Sequence, residues 1–183
     1  MQARFDFTPL QTPRRFTHAI ACLFAALALA LLAGCAAAPK PKPTLAQRQV
    51  ETLSRMGFHK VDDGWLLALP ASISFEFNKA EVKPEFRKTI EDFAHQLLDV
   101  EIHELRVEGH TDNVGARAYN LTLSQHRADA VADVFVSTGF TAGNVLRKGN
   151  GPDHPTADNG TAEGRAQNRR VEIIVPSDAL APP

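Results

Sequence analysis

The amino-acid sequence predicts an α/β fold, a two-layer sandwich in which helices cover a mixed β-sheet. Two observations support this prediction. Strand-like and helix-like segments alternate between residues 71 and 176, in the order β-α-β-α-β-α-β. The 183 residues are 44% hydrophobic and 22% charged, a globular composition that excludes both wholesale disorder and a polytopic membrane protein. A small segment over residues 44–70, predicted as a helix and a hairpin, precedes the alternating part.

The elements of the alternating part are predicted from the spacing of apolar residues. Apolar and polar side chains alternate over residues 72–77, which predicts the first strand. After Pro84, a favourable first residue of a helix, apolar residues recur at helical spacing at Phe86, Ile90, Phe93 and Leu97. The later predicted elements are a strand at 104–110, a helix at 121–137, a strand at 145–147, a short helix at 161–169 and a strand at 171–175.

The first 35 residues are predicted to direct export. Two arginines precede the apolar run Ala19–Ala33, which is shorter than the ~20 residues that a membrane-spanning helix needs. The run ends in Leu32-Ala33-Gly34-Cys35, which resembles the lipobox of bacterial lipoproteins. This resemblance implies cleavage before Cys35 and attachment of diacylglycerol to its thiol; an uncleaved N-terminal anchor helix is the alternative. By resemblance to the sorting rules of bacteria with two membranes, Ala36 implies delivery to the outer membrane.

The predicted organisation of the chain follows from this export signal and from a composition change after it. Residues 36–43 read AAAPKPKP, and their prolines favour an extended tether. The predicted segments are a signal peptide at 1–34, a lipidated cysteine and tether at 35–43, a helix-hairpin segment at 44–70, the main domain at 71–176 and a tail at 177–183. The formal net charge of -1 becomes about -3 without the signal peptide, so charge gives no reason to expect nucleic-acid binding.

The helix-hairpin segment is predicted from capping and turn residues. Thr44 is a suitable N-cap, and Gly57 ends the helix that follows it. Two apolar runs flank Asp62-Asp63-Gly64, which predicts a hairpin. Two interpretations remain open: the segment packs on the main domain, or its apolar residues Leu53, Phe58 and Trp65 are exposed and contact a protein partner.

Arg127 has an unusual position within the predicted helix at 121–137. On a helical wheel it lies on the apolar half, between Leu123 and Val131, where an unpaired guanidinium group is costly to bury. Arg127 therefore needs an anion. The residues alone leave two sources open: an internal ion pair, for which Asp112 is the obvious partner, or a bound anionic ligand.

Several motifs of the main domain resemble the peptidoglycan-binding OmpA-like domain. They are Gly109-His-Thr-Asp-Asn-Val-Gly115, Tyr119-Asn-Leu121, Leu123-Ser-Gln-His-Arg-Ala128, Asn159-Gly-Thr161, Gly164-Arg165 and Asn168-Arg-Arg-Val171. The resemblance covers residues 71–176 and implies that Asp112 and Arg127 hold the diaminopimelate residue of the peptidoglycan stem peptide. The ammonium and carboxylate groups of diaminopimelate suit an aspartate and an arginine. Further pocket residues implied by the resemblance are Asn78, Asn113, Asn120 and Leu123.

The segment before the main domain carries a second resemblance. Residues 47–69, which include Gln49-Val50 and Asp63-Gly64-Trp65, resemble the N-terminal part of outer-membrane lipoproteins that act in cyclic di-GMP signalling. This resemblance implies that the protein captures a periplasmic repressor and so releases a membrane diguanylate cyclase. Activation and capture would then depend on Leu53, Phe58 and Trp65. A passive cell-envelope anchor of the peptidoglycan-associated lipoprotein type is the alternative.

We expect a binding protein with no cofactor, metal or catalytic residue. His110 and Asp112 alternate on a predicted strand, but no third ligand follows at a known metal-site spacing. Ser124 and His126 lack a nucleophile elbow and an orienting acid, which disfavours hydrolase chemistry, including the cleavage of peptidoglycan. The arginine pair at 169–170 is expected to brace the fold.

Overall fold

A computed structural model describes residues 42–75 and 79–182, except for the side chain of Ile73. The predicted signal peptide, the lipidated Cys35 and the tether up to residue 41 lie outside the described residues, and so does Asn78. Within the described ranges, no helix combines the length and the apolar composition that crossing a bilayer requires.

The described residues form helices packed on a five-stranded sheet. In chain order the elements are α1 (Leu45–Arg55), β1 (His59–Val61), β2 (Gly64–Pro70), α2 (Ala71–Ser74), α3 (Pro84–Leu98), β3 (Leu105–His110), α4 (Arg117–Thr138), β4 (Val145–Gly151), α5 (Ala162–Asn168) and β5 (Arg170–Pro176). The strand order is β1-β2-β5-β3-β4. Neighbouring strands are antiparallel except β3 and β4, which are parallel. The predicted mixed α/β sheet is therefore confirmed.

The helical periodicity in the sequence marks the faces that form the core. Helix α4 packs on β3 and β4, and α3 packs on α4. Ile90 and Leu97 of α3 and Val131 and Phe135 of α4 are fully buried in one continuous apolar cluster. Helix α4 thus covers the parallel strands β3 and β4, and α3 packs on α4.

The hairpin of the helix-hairpin segment, β1 and β2, is part of the same sheet. Helix α1 starts with a capping box, in which Gln47 N donates to Thr44 Oγ1 at 3.2 Å and Thr44 N donates to Gln47 Oε1 at 2.9 Å. Strand β2 pairs with β5 over its whole length. Gly64 is required where β2 starts, because a Cβ atom there would lie 2.1 Å from Val175 O. Of the two interpretations of residues 44–70, packing on the main domain is the one observed.

The other interpretation, in which the apolar residues of this segment are exposed, does not hold for two of the three. Leu53 and Phe58 are buried in the core, and Trp65 is half-buried against it. They are buried because α1 docks on the main domain. Its Gln49 donates to Val100 O at 3.0 Å and accepts from Ala181 N at 2.8 Å.

The strand predicted at 72–77 is wrong over residues 72–74, which lie in the helical turn α2. The ladder between β2 and β5 ends with Ala71 N donating to Arg169 O at 2.9 Å. Phe75 N then donates to Ala71 O at 2.9 Å and closes the turn. The apolar alternation here reflects this turn, which buries Phe75 against Arg127 of α4. The strand that pairs with β5 is instead β2, from the predicted hairpin.

Candidate functional site

An open cavity of about 760 Å³ lies at the end of the sheet where β3 finishes and α4 begins. Its walls come from α2, the loop over residues 111–115, the first half of α4 and the end of α5. Cavities of about 300–1,000 Å³ accommodate small ligands, so this cavity is large enough for a short peptide or an amino acid.

Two glycines let α4 lie directly on the strands beside the cavity. A Cβ atom on Gly109 would come within 2.1 Å of Ser124 O, and one on Gly149 within 2.4 Å of Gln125 N. The same two helix residues bind the strand backbone. Ser124 Oγ accepts from Gly151 N at 2.9 Å, and Gln125 Oε1 accepts from Gly149 N at 2.8 Å. These contacts hold the first half of α4, with the side chains that it carries, at a fixed position relative to the end of β3.

Arg127 is the buried cation of the cavity. Only 4% of its surface is exposed, its Nε donates to Lys79 O at 3.0 Å, and its guanidinium carbon lies 5.1 Å from the centre of the Phe75 ring. Its two terminal nitrogens make no hydrogen bond to any residue that the structure describes. Burial, with a smaller contribution from the charge of Arg169, lowers the pKa of Arg127 from its ordinary value. A largely buried cation beside a cavity, with terminal donors that no described residue satisfies, is suited to pair with an anion.

Asp112 lines the same cavity but is paired with a different arginine. Its Oδ2 accepts from Arg169 Nη1 at 2.6 Å, and its Oδ1 accepts from Val114 N at 3.1 Å. Among the described residues, no ion pair joins Asp112 to Arg127. The ion pair between Asp112 and Arg127, one of the two alternatives from the sequence, is therefore not formed. A carboxylate accepts about four hydrogen bonds, so Asp112 retains capacity for a donor on a ligand.

Two of the other residues implied by the resemblance also line the cavity. Leu123 forms part of its apolar wall. Asn120 lines it and shapes its rim, because its Nδ2 donates to Val114 O at 3.0 Å and to Asp112 O at 3.4 Å. Asn113 is exposed and lies outside the cavity wall, so its implied role in ligand binding stays a prediction. The turn that Asp112 closes with Val114 N directs the intervening side chain outwards.

Arg165 and Arg169 are cavity residues that the sequence interpretation missed. Both line the cavity, and Arg169 pairs there with Asp112. The signal was available in the sequence. The two arginines are four positions apart around the predicted helix at 161–169, and residues at this spacing share one helix face.

His110 points away from Asp112, onto the opposite face of the sheet. Its Nε2 lies 3.4 Å from Glu172 Oε2, and Arg170 Nε donates to Glu172 Oε1 at 2.7 Å. Burial alone would raise the pKa of Glu172, but hydrogen bonds from His110 and Arg170 lower it to about 2. Arg170 thus braces the sheet as expected.

Three side chains on this face could ligate a cation. The ligand atoms of Glu108, His110 and Glu172 lie within 4.8 Å of one another. Both carboxylates already have partners. Asn150 Nδ2 donates to Glu108 Oε2 at 2.6 Å, and Arg170 is bonded to Glu172. Arg106 Nε also lies 3.4 Å from Glu108 Oε1, so each carboxylate of the cluster has a cationic partner within the protein.

Ser124 is occupied by structural hydrogen bonds. It is fully buried, and its hydroxyl donates to Leu121 O at 2.9 Å while accepting from Gly151 N. The side chain therefore has no surface at which it could attack a substrate.

Comparison with known proteins identifies the domain that carries this cavity. Residues 74–169 match the OmpA family. The outer-membrane lipoprotein YfiB of Pseudomonas aeruginosa strain PAO1 is 42% identical over 158 residues, which cover 83% of this chain and 94% of that protein.

Solved structures share the fold. The cell wall anchor of the T6SS from Pseudomonas aeruginosa has 32% sequence identity and a TM-score of 0.59, with 74% of this chain and 99% of that chain covered. The peptidoglycan-associated lipoprotein from Burkholderia pseudomallei has 25% identity and a TM-score of 0.51, with 58% and 87% covered. The family match, together with a relative that aligns over nearly its whole length, shows that the chain belongs to the OmpA family.

Proposed function

We propose that this chain is an outer-membrane lipoprotein whose OmpA domain binds peptidoglycan non-covalently through the diaminopimelate residue of the stem peptide. The names of the relatives support this location and ligand: an outer-membrane lipoprotein, a cell wall anchor and a peptidoglycan-associated lipoprotein. Cys35 is the proposed site of lipid attachment. Changing Cys35→Ser is expected to abolish the incorporation of labelled fatty acid into the protein.

The observation that carries the binding proposal is the Arg127 guanidinium, whose two terminal nitrogens have no partner among the described residues, in a cavity that also contains Asp112. Diaminopimelate has an ammonium and a carboxylate on the same carbon at the end of its side chain. Arg127 presents two parallel donors that match a carboxylate, and Asp112 has acceptor capacity for an ammonium. The apolar wall around Leu123 is suited to the methylene chain of the same residue. The site can therefore bind a dipolar side chain without any covalent step.

Sedimentation with purified sacculi tests this proposal. Arg127→Ala and Asp112→Ala are each expected to abolish co-sedimentation, while Arg147→Ala leaves it unchanged. Arg147 is the matched control because its guanidinium pairs with Asp133 and does not line the cavity. Unchanged sedimentation of both cavity variants, with folding intact, would contradict the proposal. Release of muropeptides by the purified protein would instead favour a peptidoglycan-cleaving enzyme.

We propose further that the segment over residues 44–70 captures a periplasmic repressor of the YfiR type and so regulates a diguanylate cyclase. The alignment with YfiB supports this role, since it extends well beyond the part that matches the OmpA family. Leu53 and Phe58 are buried and act by holding α1 and the hairpin in place. Trp65, which is half-buried, and Val50, which is 43% exposed on α1, offer apolar surface.

Measurement of cyclic di-GMP in cells separates this role from that of a passive anchor. Leu53→Ala and Trp65→Ala are expected to change both the cyclic di-GMP level and the amount of repressor that co-purifies. Leu146→Ala is the control, because Leu146 is an exposed apolar residue on the distant strand β4. If neither variant changes these two quantities, the chain acts as a passive anchor.

A further inference from the structure

The cavity contains more positive than negative charge. Arg127, Arg165 and Arg169 line it together with a single carboxylate, Asp112. Lys83 adds a fourth cationic side chain to the wall, and its ammonium donates to Ser72 O at 3.1 Å. Even without the lysine, three guanidinium groups face one carboxylate. One zwitterionic group, which is neutral as a whole, leaves this excess uncompensated.

The charge of Arg165, like that of Arg127, has no anionic partner among the described residues. Its Nη1 donates to Asn159 O at 3.0 Å, which is a neutral carbonyl, and no ion pair to Arg165 occurs among the described residues. Arg169 is bonded to Asp112, so that this carboxylate is already shared. The two arginines are four positions apart at the end of α5, where like charges repel each other.

Helix α5 holds these two arginines in a fixed position. Its N-cap Thr161 accepts from Gly164 N at 3.0 Å. A Cβ atom on Gly164 would lie 2.0 Å from Asp158 O, so the helix backbone packs closely on the preceding loop. At the other end of the helix, Asn168 is fully buried and accepts from Thr156 N at 2.8 Å and from Ala157 N at 3.0 Å. An arginine pair on such a support is a preorganised site for an anion.

We infer that the cavity has a second anion position, formed by Arg165 and Arg169, and that it selects peptides with a carboxylate additional to the one bound by Arg127. The inference rests on the proposed function, and it narrows the ligand to stem peptides in which a second carboxyl group is free and not amidated. The α-carboxylate of the isoglutamate residue that precedes diaminopimelate is such a group, because the peptide chain continues through the side-chain carboxyl. Amidation of this group removes its charge while leaving the peptide length unchanged.

Calorimetric titration with two synthetic peptides tests the inference. Both are N-acetyl-L-alanyl-γ-D-glutamyl-diaminopimelate, one with the free α-carboxylate on the glutamyl residue and one with the carboxamide. The native chain is expected to bind the acid about tenfold more tightly, as is typical for one charge-assisted hydrogen bond. Arg165→Gln is expected to remove this preference, because it lowers the affinity for the acid peptide and leaves the affinity for the carboxamide peptide unchanged. Arg165→Lys is expected to restore part of the preference.

The outcomes distinguish the inference from the proposed function. Equal affinity of the native chain for the two peptides overturns the inference, and so does an equal loss of affinity for both in Arg165→Gln. In either case the loss of all binding in Arg127→Gln would still support the proposed function. If neither peptide binds the native chain, or if Arg127→Gln binds both as tightly as the native chain does, the proposed function fails as well. Arg117→Gln, a change at an exposed arginine outside the cavity wall, is the control and leaves both affinities unchanged.

Discussion

Asp112 and Arg169 form an ion pair of 2.6 Å, although they are 57 positions apart in the chain. Arg127, which the family resemblance associates with Asp112, lines the same cavity, and no described residue bonds its terminal nitrogens. The pair bears on the proposed binding site. Because Asp112 is bonded to Arg169 and forms no ion pair with Arg127 among the described residues, the Arg127 guanidinium is the group that the carboxylate of the proposed ligand would pair with.

The ion pair also contributes to stability. Asp112→Asn is expected to lower the free energy of unfolding by about 1–2 kcal/mol, because it removes a charge-assisted hydrogen bond that is only partly exposed. Urea unfolding at neutral pH measures the loss. Asp153→Asn is the control, since its partner Arg117 is well exposed, and exposed pairs contribute about 0–1 kcal/mol. Equal losses in the two variants would show that burial of the Asp112 pair has no energetic effect.

Close packing of α4 on β3 depends on the absence of a side chain at position 109. Gly109→Ala is expected to cost about 3 kcal/mol or more, because the new methyl group meets the fixed backbone at Ser124 O. Displacement of α4 also moves Arg127, so sacculus binding is expected to weaken in the folded fraction. Gly143→Ala is the matched control, since a Cβ atom there meets no atom within 4 Å. Native stability of Gly109→Ala would refute the close approach.

Acid sensitivity is expected from Glu172, whose pKa is lowered to about 2. A carboxyl group whose pKa is lowered on folding stabilises the folded state above its unfolded pKa, and this contribution is lost as the pH falls towards the folded pKa. The shift corresponds to about 3 kcal/mol at neutral pH. Glu172→Gln is therefore expected to be less stable than the native chain at pH 7, with a difference that shrinks between about pH 5 and pH 2.

Urea midpoints across this pH range measure the effect. Glu104→Gln, at an exposed position, serves as the control and is expected to follow the native profile. A constant difference between Glu172→Gln and the native chain at every pH would contradict the role of the charged carboxylate.

Substitutions of two apolar residues in α1 test whether this helix is docked on the domain. Leu53 is fully buried, and Leu53→Ala is expected to cost about 2–5 kcal/mol. Val50 is 43% exposed, and Val50→Ala is expected to change the stability by less than about 0.5 kcal/mol. Thermal or urea unfolding separates the two. A small effect of Leu53→Ala would mean that α1 is not held on the domain in solution.

The helices were the most predictable part of the fold, for a local reason. The buried residues of α3 and the first half of α4 recur at a spacing that a helix alone requires, and the N-cap and glycine at the ends of α1 act within a few residues. Residues 72–74 were misassigned because a polar–apolar alternation is shared by a strand and by a short turn that buries one aromatic residue. The choice depended on where β2 had already paired with β5.

The sequence by itself determined the α/β class, the OmpA motifs and the placement of Arg127 on a buried helix face, since each follows from residues close together in the chain. Only the tertiary structure decided that Arg169 binds Asp112, that Arg165 joins the cavity, and that Leu53 and Phe58 are core residues. These outcomes depend on segments that are far apart in sequence and meet only when the sheet closes. Partner choice for a charge, and the burial of an apolar face, are set by what the rest of the chain brings against it.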